Sequence, residues 1–195
     1  GGGSSDGINM SSSTIAGSIT NTGTVTGGSD GIDVEHTTTI TGSITNSGTI
    51  TGTTANGIEV GTSSNIAGGI NNSGTISGDD GIEVDTSSNV SGGIINSGTI
   101  RGTGGTAIQI LSSNGITITN TGTLDGNVEF SDSTLNLNGG RVIGNTTGTG
   151  TINFNNTFTS EGIFTATNVN IGTGATLTLK NAITGNTSND GKILL

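Results

Sequence analysis

Proline, cysteine, tryptophan and tyrosine are absent from this 195-residue chain, and its only basic residues are Arg101, Arg141, Lys180 and Lys192. Each absence narrows the field. Without cysteine there is no disulfide framework, a state compatible with the cytosol or with a bacterial exterior. Docking on a phosphate backbone needs clustered Lys and Arg. With a formal net charge of −10, nucleic acid is not an expected partner, and neither is an anionic membrane surface. No apolar run approaches the length of a membrane-spanning helix, so this segment is not expected to insert directly into a membrane. No signal peptide is visible. Gly1 to Ser5 read as a cut edge or linker, so a fragment or mature segment is expected.

Hydrophobic residues are also scarce, at 27%. Composition alone would allow a disordered chain. The order of the residues argues otherwise. Most of the apolar residues are Ile, Val, Leu and Ala, and the β-branched ones favour strands. They recur at fixed spacings, which a disordered tract has no reason to do.

One motif organises the first two thirds: Asn-x-Gly-Thr-hydrophobic-x-Gly. It begins at Asn21, Asn46, Asn72, Asn96 and Asn120, at steps of 25, 26, 24 and 24 residues. The template then recurs with shorter steps as Asn138-Gly-Gly-Arg-Val-Ile-Gly144. Looser forms are Ser160-Glu-Gly-Ile-Phe-Thr-Ala166 and Leu179-Lys-Asn-Ala-Ile-Thr-Gly185. Other positions repeat in phase. Gly7-Ile8-x-Met10, Gly31-Ile32-x-Val34, Gly57-Ile58-x-Val60 and Gly81-Ile82-x-Val84 form one set, continued by Ala107-Ile108-x-Ile110. Ile19, Ile44, Ile70, Ile94 and Ile118 form another, and Ile15, Ile40, Ile66 and Val90 a third.

Each unit thus offers three short strands of period-two alternation, separated by Gly, Asn, Ser and Asp turns. A repeat of two dozen residues that cannot bury a core alone must stack on its neighbours. The expected fold is all-β: a right-handed parallel β-helix, or three-sided β-solenoid, of about eight coils. Residues 1–126 read as regular long coils, and residues 127–195 as a shorter-coil continuation of the same solenoid. Successive coils should lie about 4.7–4.9 Å apart, so that like side chains stack. Asn21, Asn46, Asn72, Asn96, Asn120 and Asn138 should then form a structural column whose amides bond to one another. The glycine two residues after each asparagine is expected to supply a positive φ for the corner.

In tandem, Asn-Ser-Gly-Thr-Ile-x-Gly resembles the passenger domains of Gram-negative autotransporters. The segments Thr149-Gly-Thr-Ile-Asn-Phe154 and Ile171-Gly-Thr-Gly-Ala-Thr-Leu177-Thr-Leu179 resemble the late coils of such passengers. The resemblance implies export and display on the bacterial cell surface, anchored to the outer membrane in the full-length protein. It also implies adhesion, aggregation or biofilm formation. The family includes adhesins, proteases, esterases and inert stalks, so the resemblance does not choose an activity.

Outward positions between the paired inward residues read Asn9, Asp33, Glu59, Glu83 and Gln109. Asp30 and Asp80 precede their glycines, and Glu35 and Asp85 lie one strand position further on. Asp30, Asp33, Glu59, Asp80, Glu83 and Asp85 therefore make a candidate acidic docking stripe. Like charges at strand spacing repel, so the arrangement needs a reason. A docking face for cations or a basic partner is one. Solubility and a guard against lateral sheet pairing is the other, and the simpler. The repeat-type calcium loop Gly-Gly-x-Gly-x-Asp is absent.

His36 is the single histidine, without a second His or Cys to share a metal, and reads as a solvated turn residue. Asp79-Asp80 is the only adjacent acidic pair, and no Gly-x-Ser-x-Gly elbow occurs. Neither enzyme activity nor any cofactor or metal is expected. Thr24 with Thr26 and Thr49 with Thr51 would suit an ice-binding array, but the second member drifts to Ser77, Arg101 and Asp125. The threonines read as good strand surface. The functional expectation is a surface-exposed, self-associating adhesive segment acting on a like molecule or on a host or abiotic surface. The alternative is a passive stalk, or a fibre subunit that polymerises end to end.

Overall fold

The computed structural model describes residues 5–195. Among these residues there is no helix, and the strands pair in parallel as a β-helix. Three columns of strands form its walls. The first wall begins with Ile8–Ser11, Ile32–Glu35 and Ile58–Val60. The second begins with Ile19–Asn21, Ile44–Asn46 and Ile70–Asn72. The third begins with Thr24–Gly27 and Thr49–Gly52. In the middle of the stack the third wall runs straight on into the first wall of the next coil, as Thr75–Val84 and Thr99–Ile110.

Within the first wall register is continuous along the stack, and shifts fall where the chain passes between walls, as at Gly78/Asp80 and Arg101/Ile108. Ile8, Ile32, Ile58, Ile82, Ile108, Val128, Thr146, Phe164 and Ile183 are successive partners, so the first wall is nine strands deep among the described residues. Period-two alternation turns these side chains inward, and the isoleucines from Ile32 to Ile108 are fully buried. Each such side chain contributes roughly 1.5–3 kcal/mol on leaving water.

The early coils carry one strand segment more than the three expected. It has two residues, as in Thr14–Ile15, Thr39–Ile40 and Asn65–Ile66, and it closes the coil between the first and second walls. The late coils lose it. Seven residues, 12–18, link Ile8–Ser11 to Ile19–Asn21, whereas three residues, 131–133, link the first-wall strand ending at Phe130 to Thr134–Leu137. This deletion shortens the repeat without interrupting either wall.

Two late motif matches are out of phase. By motif phase Phe164 and Ile183, four residues after Ser160 and Leu179, should match Val25 and Ile50 in the third wall. They pair instead in the first wall, below Thr146. The segments starting at Ser160 and Leu179 are the turns that enter the first wall, where small residues are also needed.

The late core is aromatic. Phe154 lies 5.4 Å, centroid to centroid, from both Phe158 and Phe164. Tilted and edge-on rings at this spacing add to the burial itself. Gly148 stacks on Phe130, and a side chain there would overlap the ring.

Candidate functional site

The corner between the second and third walls is built on asparagine. In each early coil the residue that ends the second-wall strand faces inward, and here it is Asn21, Asn46, Asn72, Asn96 or Asn120, all buried. Asn21 Nδ2 donates to Asn46 Oδ1 at 2.8 Å, Asn46 to Asn72 at 2.8 Å, Asn72 to Asn96 at 2.9 Å and Asn96 to Asn120 at 2.8 Å. The same nitrogen also reaches two backbone carbonyls; for Asn46 these are Gly48 at 3.2 Å and Thr75 at 3.0 Å. All four amide bonds point the same way along the stack, an alignment in which each bond polarises the next.

Asn138 does not join this ladder. The register partner of Asn120 is Leu137, because the corner Leu137-Asn138-Gly139-Gly140-Arg141 carries one residue more than Asn120-Thr121-Gly122-Thr123. The insertion moves Asn138 outward, where its Oδ1 accepts from Asn155 Nδ2 at 2.9 Å. The apolar Leu137 takes the buried place.

Of the corner glycines, Gly140, two residues after Asn138, takes the expected positive φ, at 70°; those of the ladder coils have a different role. Gly48, Gly74, Gly98 and Gly122 do not adopt a positive φ. A Cβ on any of them would overlap the carbonyl oxygen of the preceding corner glycine, Gly23, Gly48, Gly74 and Gly98 respectively. They are glycines because the coils touch there.

The acidic residues form two adjacent columns. Asn9, Asp33, Glu59, Glu83, Gln109 and Glu129 are successive register partners on the outer face of the first wall. Beside them, in the segment that enters the wall, lies a second ladder. Asp30 N donates to Asp6 Oδ1 at 3.2 Å, Asn56 N to Asp30 Oδ1 at 2.7 Å and Asp80 N to Asn56 Oδ1 at 3.3 Å. Asp85 stands apart, two coils from Glu35 in a column that Gly61 interrupts. Its Oδ1 accepts from Thr86 N at 2.9 Å.

Two amides bond to several of the carboxylates. Asn9 Nδ2 lies 3.0 Å from Asp6 Oδ2, 2.8 Å from Asp33 Oδ2 and 3.2 Å from Glu35 Oε1. Asn56 Nδ2 donates to Glu83 Oε2 at 2.6 Å. Although it occupies an outward position in the sequence pattern, Asp33 is only 7% exposed. Burial, then repulsion from Glu35, Glu59, Asp6 and Asp30, pushes its carboxyl up to about 7. Burial, then Asp30 and Glu83, pushes Glu59 up to about 7 against the opposing Asn56 hydrogen bond. Burial also raises Asp30 and Asp80.

Other outer columns are mostly neutral. Thr24, Thr49, Thr75, Thr99 and Thr123 stack in register on the third wall. Their neighbours drift from Thr26 to Asp125, and Arg101 meets Asp125 at 3.4 Å. On the late second wall, Asn153 Nδ2 donates to Asn136 Oδ1 and Asn170 Nδ2 to Asn153 Oδ1, both at 2.8 Å. The Asn-x-Gly pattern misses this ladder, although Asn136, Asn153 and Asn170 recur every 17 residues. His36 sits in a left-handed corner at φ 53°, 2.9 Å from Glu35 and 3.2 Å from Ser11 Oγ. Asp79 and Asp80 lie within the continuous strand Thr75–Val84 and not in the short turn their lettering suggests; Asp79 is exposed and Asp80 half-buried, so the pair does not face one point.

Comparison of the chain with protein-family models, with curated proteins and with solved structures finds no match.

Proposed function

We propose that this chain is a surface-displayed, self-associating β-helical segment of the autotransporter-passenger kind. It attaches a cell to like cells or to a surface through many weak polar contacts spread along its length. The observation that carries the reading is the set of outward columns in register. The hydroxyls of Thr24, Thr49, Thr75, Thr99 and Thr123 repeat at strand spacing, as do the amides of Asn136, Asn153 and Asn170. A regular array of this kind is complementary to a second copy of itself, since each hydroxyl or amide both donates and accepts.

Unbroken register through nine strands of the first wall also favours a second reading. A stack with every coil bonded to the next is stiff, and a stiff rod can serve as a passive stalk. Display of the segment on otherwise dispersed cells separates the two. Clumping that weakens when Thr49, Thr75 and Thr99 are changed together to lysine supports adhesion through that face. Cells that stay dispersed, with a strictly monomeric segment at high concentration, support the stalk.

A further inference from the structure

Asp33 presents a problem of pairing. It is more than nine-tenths buried. Its Oδ2 accepts from Asn9 Nδ2 at 2.8 Å, but its Oδ1 is buried without a hydrogen-bond partner. A buried acceptor left empty is costly, and a buried charge without a counter-charge is more so. The charged groups around it are of its own sign: Asp6 and Asp30 in the entering turns, Glu35 on its own strand and Glu59 on the next coil. Glu59 in turn faces Asp30, and Glu83 and Asp85 from the coil beyond. The nearby ionisable base, His36, is held by Glu35 at 2.9 Å. Asp33 and Glu59 are direct register partners on adjacent parallel strands, and adjacent strands lie about 4.8 Å apart. At Gly61 the neighbouring column has no side chain, and a Cβ there would lie 3.0 Å from Glu59 Oε1.

We propose that Asp33 and Glu59 form a proton-binding site, in which one carboxyl proton is shared between adjacent coils and fills the empty place at Asp33 Oδ1. The proton comes from solvent. In the bound state the O–H of one carboxyl donates to the carboxylate of the other. As pH rises the proton passes to water or hydroxide, leaving two like charges on neighbouring rungs. Two carboxylates on neighbouring rungs of parallel strands do not both ionise easily, and such a pair titrates in two widely separated steps. Burial and like charge push both groups upward, the direction that holding a proton between them requires. The acidic column then acts as a proton-dependent staple between the second and third coils.

Carbon-13 NMR of the side-chain carboxyls, followed against pH in the intact chain, tests the site. Asp33→Asn and Glu59→Gln serve to assign the signals. One of the two carboxyls is expected to keep its proton to a midpoint near 7, while its partner titrates far lower. In Glu59→Gln an amide replaces the shared proton as donor, and Asp33 is expected to titrate well below 7. Asp33 and Glu59 both titrating in the ordinary carboxylate range in the unmodified chain overturn the proposal. So does an Asp33 midpoint that stays near 7 in Glu59→Gln, because burial alone would then account for it. If neither variant folds, the unmodified chain still decides: one carboxyl moving near pH 7 with a second, far lower step that shifts the same signal upholds the site, and two carboxyls that each move near pH 7 in a single independent step, or none moving above pH 6, reject it.

Discussion

Asn72 Nδ2 donates to Asn96 Oδ1 across 2.9 Å of the solenoid interior. The bond joins two coils that are 24 residues apart in sequence, and it belongs to a ladder that runs from Asn21 to Asn120. Asn72→Ala removes the donor from Asn96 Oδ1, which has no other donor in the corner. An orphaned buried acceptor costs about 1–3 kcal/mol. Asn72→Asp is expected to be at least as harmful, because it buries a charge where a donor was needed. Thr24→Ala, on the exposed outer surface, is expected to stay within about 0.5 kcal/mol. Urea midpoints of the three variants check the ordering.

The corner glycines allow an internally controlled test. Gly74→Ala places a methyl group against the backbone carbonyl of Gly48, which can move only if the coils part. A loss of about 1–3 kcal/mol is expected, as for overpacking in a core. Gly23 holds the same motif place in the first described coil, with nothing within 4 Å of its Cβ direction and no positive φ. Gly23→Ala is expected to be neutral or to stabilise by about 0.4–1 kcal/mol through the unfolded chain. Thermal midpoints of the pair measure the contrast.

Phe154 joins the late coils. It contacts both Phe158 and Phe164 and is fully buried. Phe154→Ala is expected to cost about 3–5 kcal/mol, and Phe154→Leu clearly less. Hydrogen exchange should speed first in residues 146–179 if the loss is local to these coils.

The acidic column makes stability depend on pH with a definite sign. Burial and like charge raise Asp33 and Glu59 above their ordinary values of 3.8 and 4.5, so that the proton the pair holds leaves only near pH 7. Between these limits the folded chain binds more protons than the unfolded chain. Their contribution is therefore fully present below about pH 4, falls as pH rises through about 7, and is flat above that. Urea midpoints from pH 4.5 to 8.5 should decline over this window, and Asp33→Asn should flatten the decline.

Much of this architecture was legible because wall positions repeat their chemistry. Ile32, Ile58 and Ile82 recur with Gly before them and Val two places on, and the stack places them as partners. Asp33, Glu59 and Glu83 follow from the same phase. Corners were harder. The lettering of a corner does not fix its length, so Asn138 matched the motif while Leu137 occupied the ladder. Near Ser160 and Leu179, small residues marked a turn but not which turn. The ladder through Asp6, Asp30, Asn56 and Asp80 was hidden for another reason: it bonds side chain to backbone, and backbone donors leave no mark in the sequence.

Cysteine cross-linking tests the central claim, in-register stacking of coils, most directly, since the chain has no cysteine of its own. Thr45 and Asn71 are register partners on adjacent coils, at a spacing of about 4.8 Å that a disulfide can bridge. Asn71 is in turn the partner of Ile95, so Thr45 and Ile95 stand two rungs apart, about 9.6 Å, beyond disulfide reach. Under mild oxidation of the dilute monomer, Thr45→Cys with Asn71→Cys is expected to close an intramolecular disulfide, and Thr45→Cys with Ile95→Cys is not. Equal closure of the two pairs, or closure of the second alone, would contradict the stacked register.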